Sequence, residues 1–173
     1  MDVSAIQRRC LALGYSPGPV DGELGPRSYA AIFSAVARRK LANGMEFGEG
    51  AARHFPNYEI TTALRLCHWL GQIAHESGGF FYLKELGGPD YFFRMYDPFG
   101  NRPQVAARLG NTQPRDGARY CGRGLIQLTG RSIYRATGGR LGLPPEGEPD
   151  LAAEPGNAVL IAFLRATPKF FAQ

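Results

Sequence analysis

The stretch from Thr61 to Glu85, TTALRLCHWLGQIAHESGGFFYLKE, decides the fold. Its large apolar residues recur at helical spacing, and a threonine in front of them can cap the first exposed amides. The spaced residues are Leu66, Trp69, Leu70 and Ile73, with Thr61 or Thr62 as the cap. The pattern predicts an amphipathic helix that ends at Gly78-Gly79.

The first of two glutamates in this stretch lies near the end of the predicted helix. Glu76 follows Ile73 by three residues, which at about 100° per residue places it at the edge of the apolar stripe. We therefore expect its carboxylate to be partly desolvated. Desolvation disfavours the charged form, so such a glutamate can act as a proton donor near neutral pH.

The second glutamate, Glu85, comes nine residues after Glu76. On an unbroken helix it would lie roughly 13 Å farther along the axis, on the opposite face. Glycine tolerates the backbone angles that end a helix, so Gly78-Gly79 lets the following residues fold back and bring Glu85 across a cleft from Glu76. Two facing carboxylates are used for glycoside hydrolysis. The spacing alone leaves open that both are solvated surface residues.

Three sequence motifs follow one another in a characteristic order. They are AHESGGF at residues 74–80, Glu85 nine residues after Glu76, and YCGRGLIQLTGR at residues 120–131. Together they resemble glycoside hydrolase family 19, which holds chitinases and lysozyme-like phage endolysins. The resemblance covers roughly residues 47–151. It implies a mainly α, lysozyme-like, two-lobed catalytic domain with a cleft between its lobes.

The resemblance also implies roles for individual residues. Glu76 would protonate the leaving oxygen, and Glu85 would activate water in an inverting reaction. The substrate would be a β-1,4-linked polymer of N-acetylated aminosugars, peptidoglycan or chitin, in cell wall degradation. Gln127 would bind sugar and Thr129 would help to hold the attacking water. The full set of implied substrate contacts is Tyr120, Gln127, Thr129, Tyr134 and His75.

The sequence departs from the family pattern at several places. Ile133 precedes Tyr134 where the family commonly has asparagine, and Cys121 stands where a basic residue is frequent. Family members continue with further helices past Leu151, whereas here one helix is predicted at Ala158–Leu164, so we expect a catalytic domain that is incomplete at its C-terminus. Two alternatives stay open. One is a non-catalytic wall-binding protein, and the other is a lytic transglycosylase, which shares the helix-ending Glu-Ser and Gly-Leu-x-Gln-Leu but needs no second carboxylate.

The N-terminal residues 1–39 predict a helical hairpin. A short helix follows the possible cap Ser4 and ends at Gly14, a Gly/Pro-rich loop follows, and Arg27–Arg39 forms a second helix. The segment resembles the peptidoglycan-binding repeat, and it could equally be a hairpin that packs on the catalytic part. Residues 40–52 have the composition of a linker. The predicted organisation is hairpin 1–39, linker 40–52 and catalytic domain 53–173.

Two stretches after Glu85 lack a clear period. Repeated turn signals predict irregular structure through Arg119, with aromatic residues that either face sugar rings or close a small core. These residues are Tyr91, Phe92, Phe93, Tyr96 and Phe99. Leu125–Thr129, between glycines, is predicted to be a short extended segment.

The composition restricts the partners. A net charge of +5 and a pI near 9.3 suit an anionic polymer, and no zinc-finger or RNA-recognition signature is present, so we expect the cell wall rather than nucleic acid. No segment approaches 18 apolar residues, and the N-terminus lacks a secretory signal, so we expect no stable membrane insertion, synthesis in the cytoplasm and action on the wall after release. We also expect a monomer.

No cofactor or metal is expected from the sequence. The position four after His75 is Gly79, so the second histidine of a zinc-protease motif is missing. His68 and His75 are two helical turns apart, about 10 Å, which is too far to share one ion.

Overall fold

The computed structural model describes the backbone of residues 1–142 and 144–170 and the side chains of residues 1–142 and 144–163. Within these ranges the chain is mainly α-helical, as predicted. Its helices are α1 (Val3–Ala12), α2 (Pro26–Ala37), α3 (Gly44–His54), α4 (Ala63–Glu76), α5 (Pro89–Tyr96), α6 (Pro103–Leu109), α7 (Asp116–Arg119), α8 (Arg131–Leu141) and α9 (Pro155–Phe170). Short 3-10 helices cover Pro56–Tyr58 and Pro149–Ala153. None of the helices in the described ranges combines the length and apolarity that a membrane span requires.

The predicted central helix is α4, and it begins and packs as its sequence indicates. The Thr62 hydroxyl accepts the amide of Arg65 at 3.3 Å and thereby caps the helix. The buried face consists of the four expected apolar residues: Leu66, Trp69, Leu70 and Ile73. The amphipathic pattern therefore predicted this helix and its orientation correctly.

Helices α2, α3, α4 and α9 surround the larger of two hydrophobic clusters, which is rich in aromatic rings. Phe33 of α2 stacks on Phe47 of α3 at 5.3 Å between centroids. Phe33 also meets Trp69 of α4 edge-on at 6.1 Å, and Trp69 stacks on Phe163 of α9 at 5.2 Å. These offset and edge-on contacts stabilise aromatic cores beyond their buried area.

The prediction of a linker at residues 40–52 is wrong over most of its length. Gly44–His54 is helix α3, and its Phe47 and Ala51 side chains are buried. The glycines that suggested a linker permit close helix contact instead. A Cβ on Gly48 would lie 2.1 Å from the carbonyl oxygen of Pro26, and one on Gly50 would lie 3.0 Å from the Cα of Gly156.

The N-terminal hairpin has the predicted two helices, α1 and α2, but it begins differently. The cap is Asp2, whose carboxylate accepts the amide of Ala5 at 2.9 Å, rather than Ser4. The hairpin also shares its core with the rest of the chain, because Tyr29 and Phe33 belong to the larger cluster. Residues 1–39 are therefore packed against the predicted catalytic part.

A second, smaller cluster forms around α8. It consists of Tyr120, Leu128, Tyr134, Ala152 and Ile161. An ion pair of 2.6 Å between Arg131 and the buried Asp116 fixes the start of α8. Helix α9 contributes to both clusters, with Val159 and Phe163 in the larger one and Ile161 in the smaller one. The two clusters agree with the predicted two lobes.

The irregular structure predicted between Glu85 and Arg119 is wrong in part, because this stretch contains α5, α6 and α7. The predicted turns at residues 97–101 and 110–114 do separate these helices. With eight, seven and four residues, the helices are too short for an apolar period to show in the sequence.

The packing of α3 predicts opposite effects for two Gly-to-Ala substitutions inside helices. Gly48→Ala should destabilise the protein by about 1 to 3 kcal/mol, because the new methyl group meets backbone that cannot move freely. Gly71 lies at an exposed position of α4, and no atom is within 4 Å of a Cβ added there. Gly71→Ala should therefore stabilise the protein by about 0.5 to 1 kcal/mol. Urea denaturation measures both. A Gly48→Ala protein as stable as the unmodified chain would contradict the close contact of α2 and α3.

Candidate active site

The chain reverses direction directly after Glu76. Gly78, Gly79 and Phe80 all adopt left-handed backbone angles, with φ of +60°, +71° and +63°. This confirms that the glycines end the helix and allow the chain to fold back. Phe80 is costly in this region, because a side chain disfavours positive φ, so the turn depends on contacts that hold it.

Ser77 supplies several of those contacts. Its hydroxyl donates to the carbonyl of Ile73 at 2.6 Å and accepts the amide of Phe80 at 2.9 Å, and its side chain is fully buried. Its carbonyl accepts the amides of Phe81 and Tyr82 at 3.1 and 3.0 Å. The sequence interpretation gave Ser77 no role. A serine between a helix end and two glycines was the available signal, since serine hydroxyls commonly bond to nearby backbone.

After this turn, the segment that carries Glu85 pairs with the motif at residues 120–131. The amide of Glu85 donates to the carbonyl of Gly122 at 2.8 Å, and the amide of Gly124 donates to the carbonyl of Leu83 at 2.9 Å. Arg123 forms antiparallel bridges with Lys84 on one side and Leu128 on the other. These are isolated bridges, and no sheet forms in the described residues.

The extended segment predicted at Leu125–Thr129 is wrong. The chain turns tightly over Gly124–Gln127 and becomes extended at Leu128. Gly124 and Gln127 have φ of +74° and +50°. Only glycine fits at the first position, because a Cβ there would lie 2.6 Å from the carbonyl oxygen of Ala152.

The carboxylate of Glu85 is half-buried and accepts three hydrogen bonds. Its donors are the Tyr96 hydroxyl at 2.7 Å, the Tyr91 hydroxyl at 3.4 Å and the Gly122 amide at 2.9 Å. Burial and the neighbouring Glu85 carboxylate raise the pKa of Tyr96 well above its usual range, so this hydroxyl keeps its proton and stays a donor. The arrangement presents Glu85 in a fixed orientation.

Glu76 has a different environment from the one predicted. It is exposed, and its carboxylate accepts a hydrogen bond from the side-chain amide of Gln72, one helical turn earlier. The expectation of a partly desolvated Glu76 is therefore wrong. The adjacent buried positions on α4 are taken by Ile73 and Ser77, and the side chain of Glu76 turns to the solvent face beside Gln72.

Gln127 lies beside Glu85. A Cβ added to Gly122 would be 2.8 Å from Oε1 of Gln127 and 3.1 Å from Oε2 of Glu85, so the two side chains meet over one glycine. The side-chain amide of Gln127 donates to the carbonyl of Tyr82 at 3.2 Å. Thr129 contacts the backbone of Gln127, because its hydroxyl donates to that carbonyl at 2.8 Å. Of the predicted site residues, the structure thus brings Glu85 and Gln127 together.

The other predicted substrate contacts are placed differently. Tyr120 and Tyr134 are 1% and 0% exposed, so neither ring is accessible to a sugar. Tyr134 donates to the carbonyl of Cys121 at 2.8 Å, and the buried Arg123 donates to its hydroxyl at 3.1 Å. Both tyrosines belong to the smaller hydrophobic cluster, which packs beneath the motif at residues 120–131. His75 is exposed on the last turn of α4, beside Glu76.

The five aromatic residues after Glu85 lie in different environments. Phe92 is buried and packs within its lobe, whereas Phe93 and Phe99 are exposed. Tyr91 and Tyr96 hold Glu85, which the sequence did not indicate. Among the described residues, no group of three or more His, Cys, Asp and Glu side chains is close enough to hold a metal ion.

Comparisons with known proteins show that the chain is similar to chitinases. No protein-family model matches the sequence. An endochitinase of Arabidopsis thaliana is 33% identical over 140 residues, which cover 79% of this chain and 45% of the relative. A glycosyl hydrolase family 19 domain-containing protein of Haemophilus influenzae is 39% identical over 88 residues, 39% of this chain and 44% of that protein. The chain therefore spans less than half the length of these curated relatives.

The fold is shared with solved structures. Chitinase C from Streptomyces griseus superposes with a TM-score of 0.56 and 24% identity, covering 78% of this chain and 52% of that one. A mutant of chitinase C gives a TM-score of 0.55 at 22% identity. The predicted fold class is thereby confirmed.

The buried hydroxyl of Ser77 predicts a local stability effect. Ser77→Ala should destabilise the protein by about 1 to 3 kcal/mol, because the amide of Phe80 loses its buried acceptor. Ser16→Ala, at an exposed serine, should change stability by less than about 0.5 kcal/mol. Chemical denaturation of both variants measures the difference, and equal stabilities would show that Ser77 does not hold the turn.

Proposed function

We propose that this chain, a relative of glycoside hydrolase family 19, is a glycosidase. It would cleave β-1,4 bonds in polymers of N-acetylated aminosugars. The relatives that are named endochitinases support chitin as a substrate class. The net charge of +5 supports peptidoglycan, whose wall context is anionic. Both polymers contain N-acetylglucosamine, and the experiment below separates them.

The observation that carries the proposal is the environment of Glu85. A carboxylate that accepts three hydrogen bonds, on a residue whose amide also bonds to Gly122, suits a general base, because it can accept a proton from water without reorienting. The turn at Gly78-Gly79 connects the segment that carries Glu85 to the end of α4, which carries Glu76. The two carboxylates therefore stand on the two arms of one short reversal.

In the proposed reaction, water attacks the anomeric carbon while Glu85 takes its proton. Glu76 gives a proton to the glycosidic oxygen, which leaves as a hydroxyl group. Attack from the face opposite the leaving group inverts the anomeric configuration, which requires carboxyl groups about 6.5 to 9.5 Å apart. Gln127 would bind the sugar, and Thr129 would help to hold the attacking water.

The exposure of Glu76 assigns a task to the substrate. A carboxylic acid serves as a proton donor near neutral pH only where its charged form is disfavoured. The free protein leaves Glu76 exposed to water. In the proposed reaction, a bound sugar chain displaces that water.

We propose in addition that the N-terminal hairpin binds a single aminosugar unit of the same polymer. A cavity of about 260 Å³ lies between the hairpin and the start of α3. It is lined by an aromatic ring, a lysine and small side chains, among them Tyr15, Lys40, Ala30 and Ser34. An aromatic face suits the apolar face of a sugar, and Lys40 suits the carboxylates of a wall peptide.

The two-carboxylate mechanism predicts distinct losses for two variants. Glu76→Gln should lower hydrolysis by at least about a hundredfold while the fold is retained, because the amide cannot donate the required proton. Glu85→Ala should lose activity similarly, and added azide should restore part of it by replacing the activated water. Hydrolysis is measured as reducing sugar released from purified walls and from chitin, and the azide rescue is measured as glycosyl azide by mass spectrometry, because that product has no reducing end. Wild-type rates in Glu76→Gln would refute the role of Glu76.

Product mass then distinguishes the other candidate functions. A hydrolase adds one water to each cleaved bond, whereas a transglycosylase leaves an anhydro sugar. Binding to both polymers without any soluble cleavage product, either reducing or anhydro, would identify a non-catalytic wall-binding protein and end the proposal.

The cavity at the hairpin predicts a binding site that is separable from Glu85. Titration with N,N'-diacetylchitobiose should shift the amide resonances of Gly14, Tyr15 and Gly44, and Ala30→Phe should abolish these shifts by filling the cavity. Ala12→Phe, at an exposed alanine at the end of α1, should leave them unchanged. Shifts confined to residues around Glu85 and Gln127 would overturn binding at the hairpin.

A further inference from the structure

The side chain of Arg39 connects the N-terminal hairpin to the turn behind Glu76. Its guanidinium donates to the carbonyl of Gly79 at 2.9 Å and to that of Gly78 at 3.4 Å. The guanidinium carbon also lies 5.0 Å from the ring centroid of Phe81. One side chain thus contacts three of the residues that follow Ser77, forty positions along the chain.

The turn contains carbonyls that depend on Arg39. Among the described residues, Arg39 is the only donor to the carbonyls of Gly78 and Gly79. A cation at this place also suits the partial negative charge at the C-terminal end of a helix. The interaction therefore stabilises a turn in which Phe80 has a strained positive φ angle.

The backbone of Arg39 is itself fixed. Arg38 ends α2 in the left-handed conformation, and the amide of Arg39 donates to the carbonyl of Ser34 at 3.1 Å. A Cβ on Gly79 would lie 3.9 Å from the Cα of Ala37, so the end of α2 and the turn are in direct contact. Arg39 therefore extends from a rigid helix end rather than from a loop.

We propose that Arg39 is a positioning residue for the hydrolysis proposed above, on which this inference rests. By holding Gly78 and Gly79, Arg39 fixes the position of the segment that carries Glu85 relative to the end of α4, which carries Glu76. The hairpin then has a second role besides binding polymer, because it completes the support of the catalytic pair. Arginine suits this role better than lysine, since its planar guanidinium can stack on Phe81 while its Nη2 donates to the two carbonyls.

The test compares Arg39→Ala and Arg39→Lys with Arg8→Ala, which removes an exposed arginine of α1 from the same hairpin. In Arg39→Ala we expect amide hydrogen exchange at Phe81 and Tyr82 to accelerate about tenfold, as loss of one exposed, charge-assisted contact allows. We expect kcat to fall about tenfold and KM to change less than about twofold, because the loss affects the relation of the two carboxylates rather than sugar binding. Arg39→Lys should recover part of kcat, and Arg8→Ala should match the unmodified chain.

Each outcome decides between the two proposals. Unchanged exchange at Phe81 and Tyr82 in Arg39→Ala would show that Arg39 does not hold the turn. Faster exchange with unchanged kcat would overturn the positioning role and leave the hydrolase intact. A fall in kcat with equal thermal destabilisation and no recovery in Arg39→Lys would reduce Arg39 to a stability contact. An unmodified chain that hydrolyses neither polymer would overturn the proposed function and the positioning role together.

Discussion

The backbone pairing of Glu85 with Gly122 is the interaction on which the rest of the site depends. It joins two segments 37 residues apart and sets the distance between the turn after α4 and the motif at residues 120–131. Gly122 makes the pairing possible, because any side chain there would collide with both Glu85 and Gln127. Arg123, the residue after Gly122, is buried and donates to Tyr134, to Asp150 and to two carbonyls. These bonds anchor the segment around Gly122 beside the smaller hydrophobic cluster.

The sequence was most informative where one local rule decided the structure. A capping threonine and four apolar residues at helical spacing defined α4, and two glycines marked its end. Local rules failed where tertiary contacts decide. Gly48 and Gly50 have the composition of a linker, yet each is a contact point between helices, and only the packed structure shows which neighbour requires the missing side chain. Tyr120 and Tyr134 look like ligand contacts in a motif but are core residues.

The two carboxylates illustrate the same limit. Periodicity placed Glu76 beside the apolar stripe, but solvent access depends on whether another element covers that helix end, and none of the described ones does. Glu85 carried no periodic signal, yet two tyrosine hydroxyls and an amide converge on it. The more enclosed carboxylate is therefore the one assigned as base, which is the reverse of the expected order. Under the proposed mechanism, the asymmetry that separates acid from base is completed only by the sugar chain.

Helix α9 has a consequence for how the molecule comes apart. Successive turns of this one helix supply side chains to the hydrophobic clusters of both lobes, so neither lobe can lose its core without disturbing the other. A chain built in this way should melt in a single cooperative transition, with calorimetric and van't Hoff enthalpies that agree. The same shared helix limits how far the two lobes can move apart as rigid bodies.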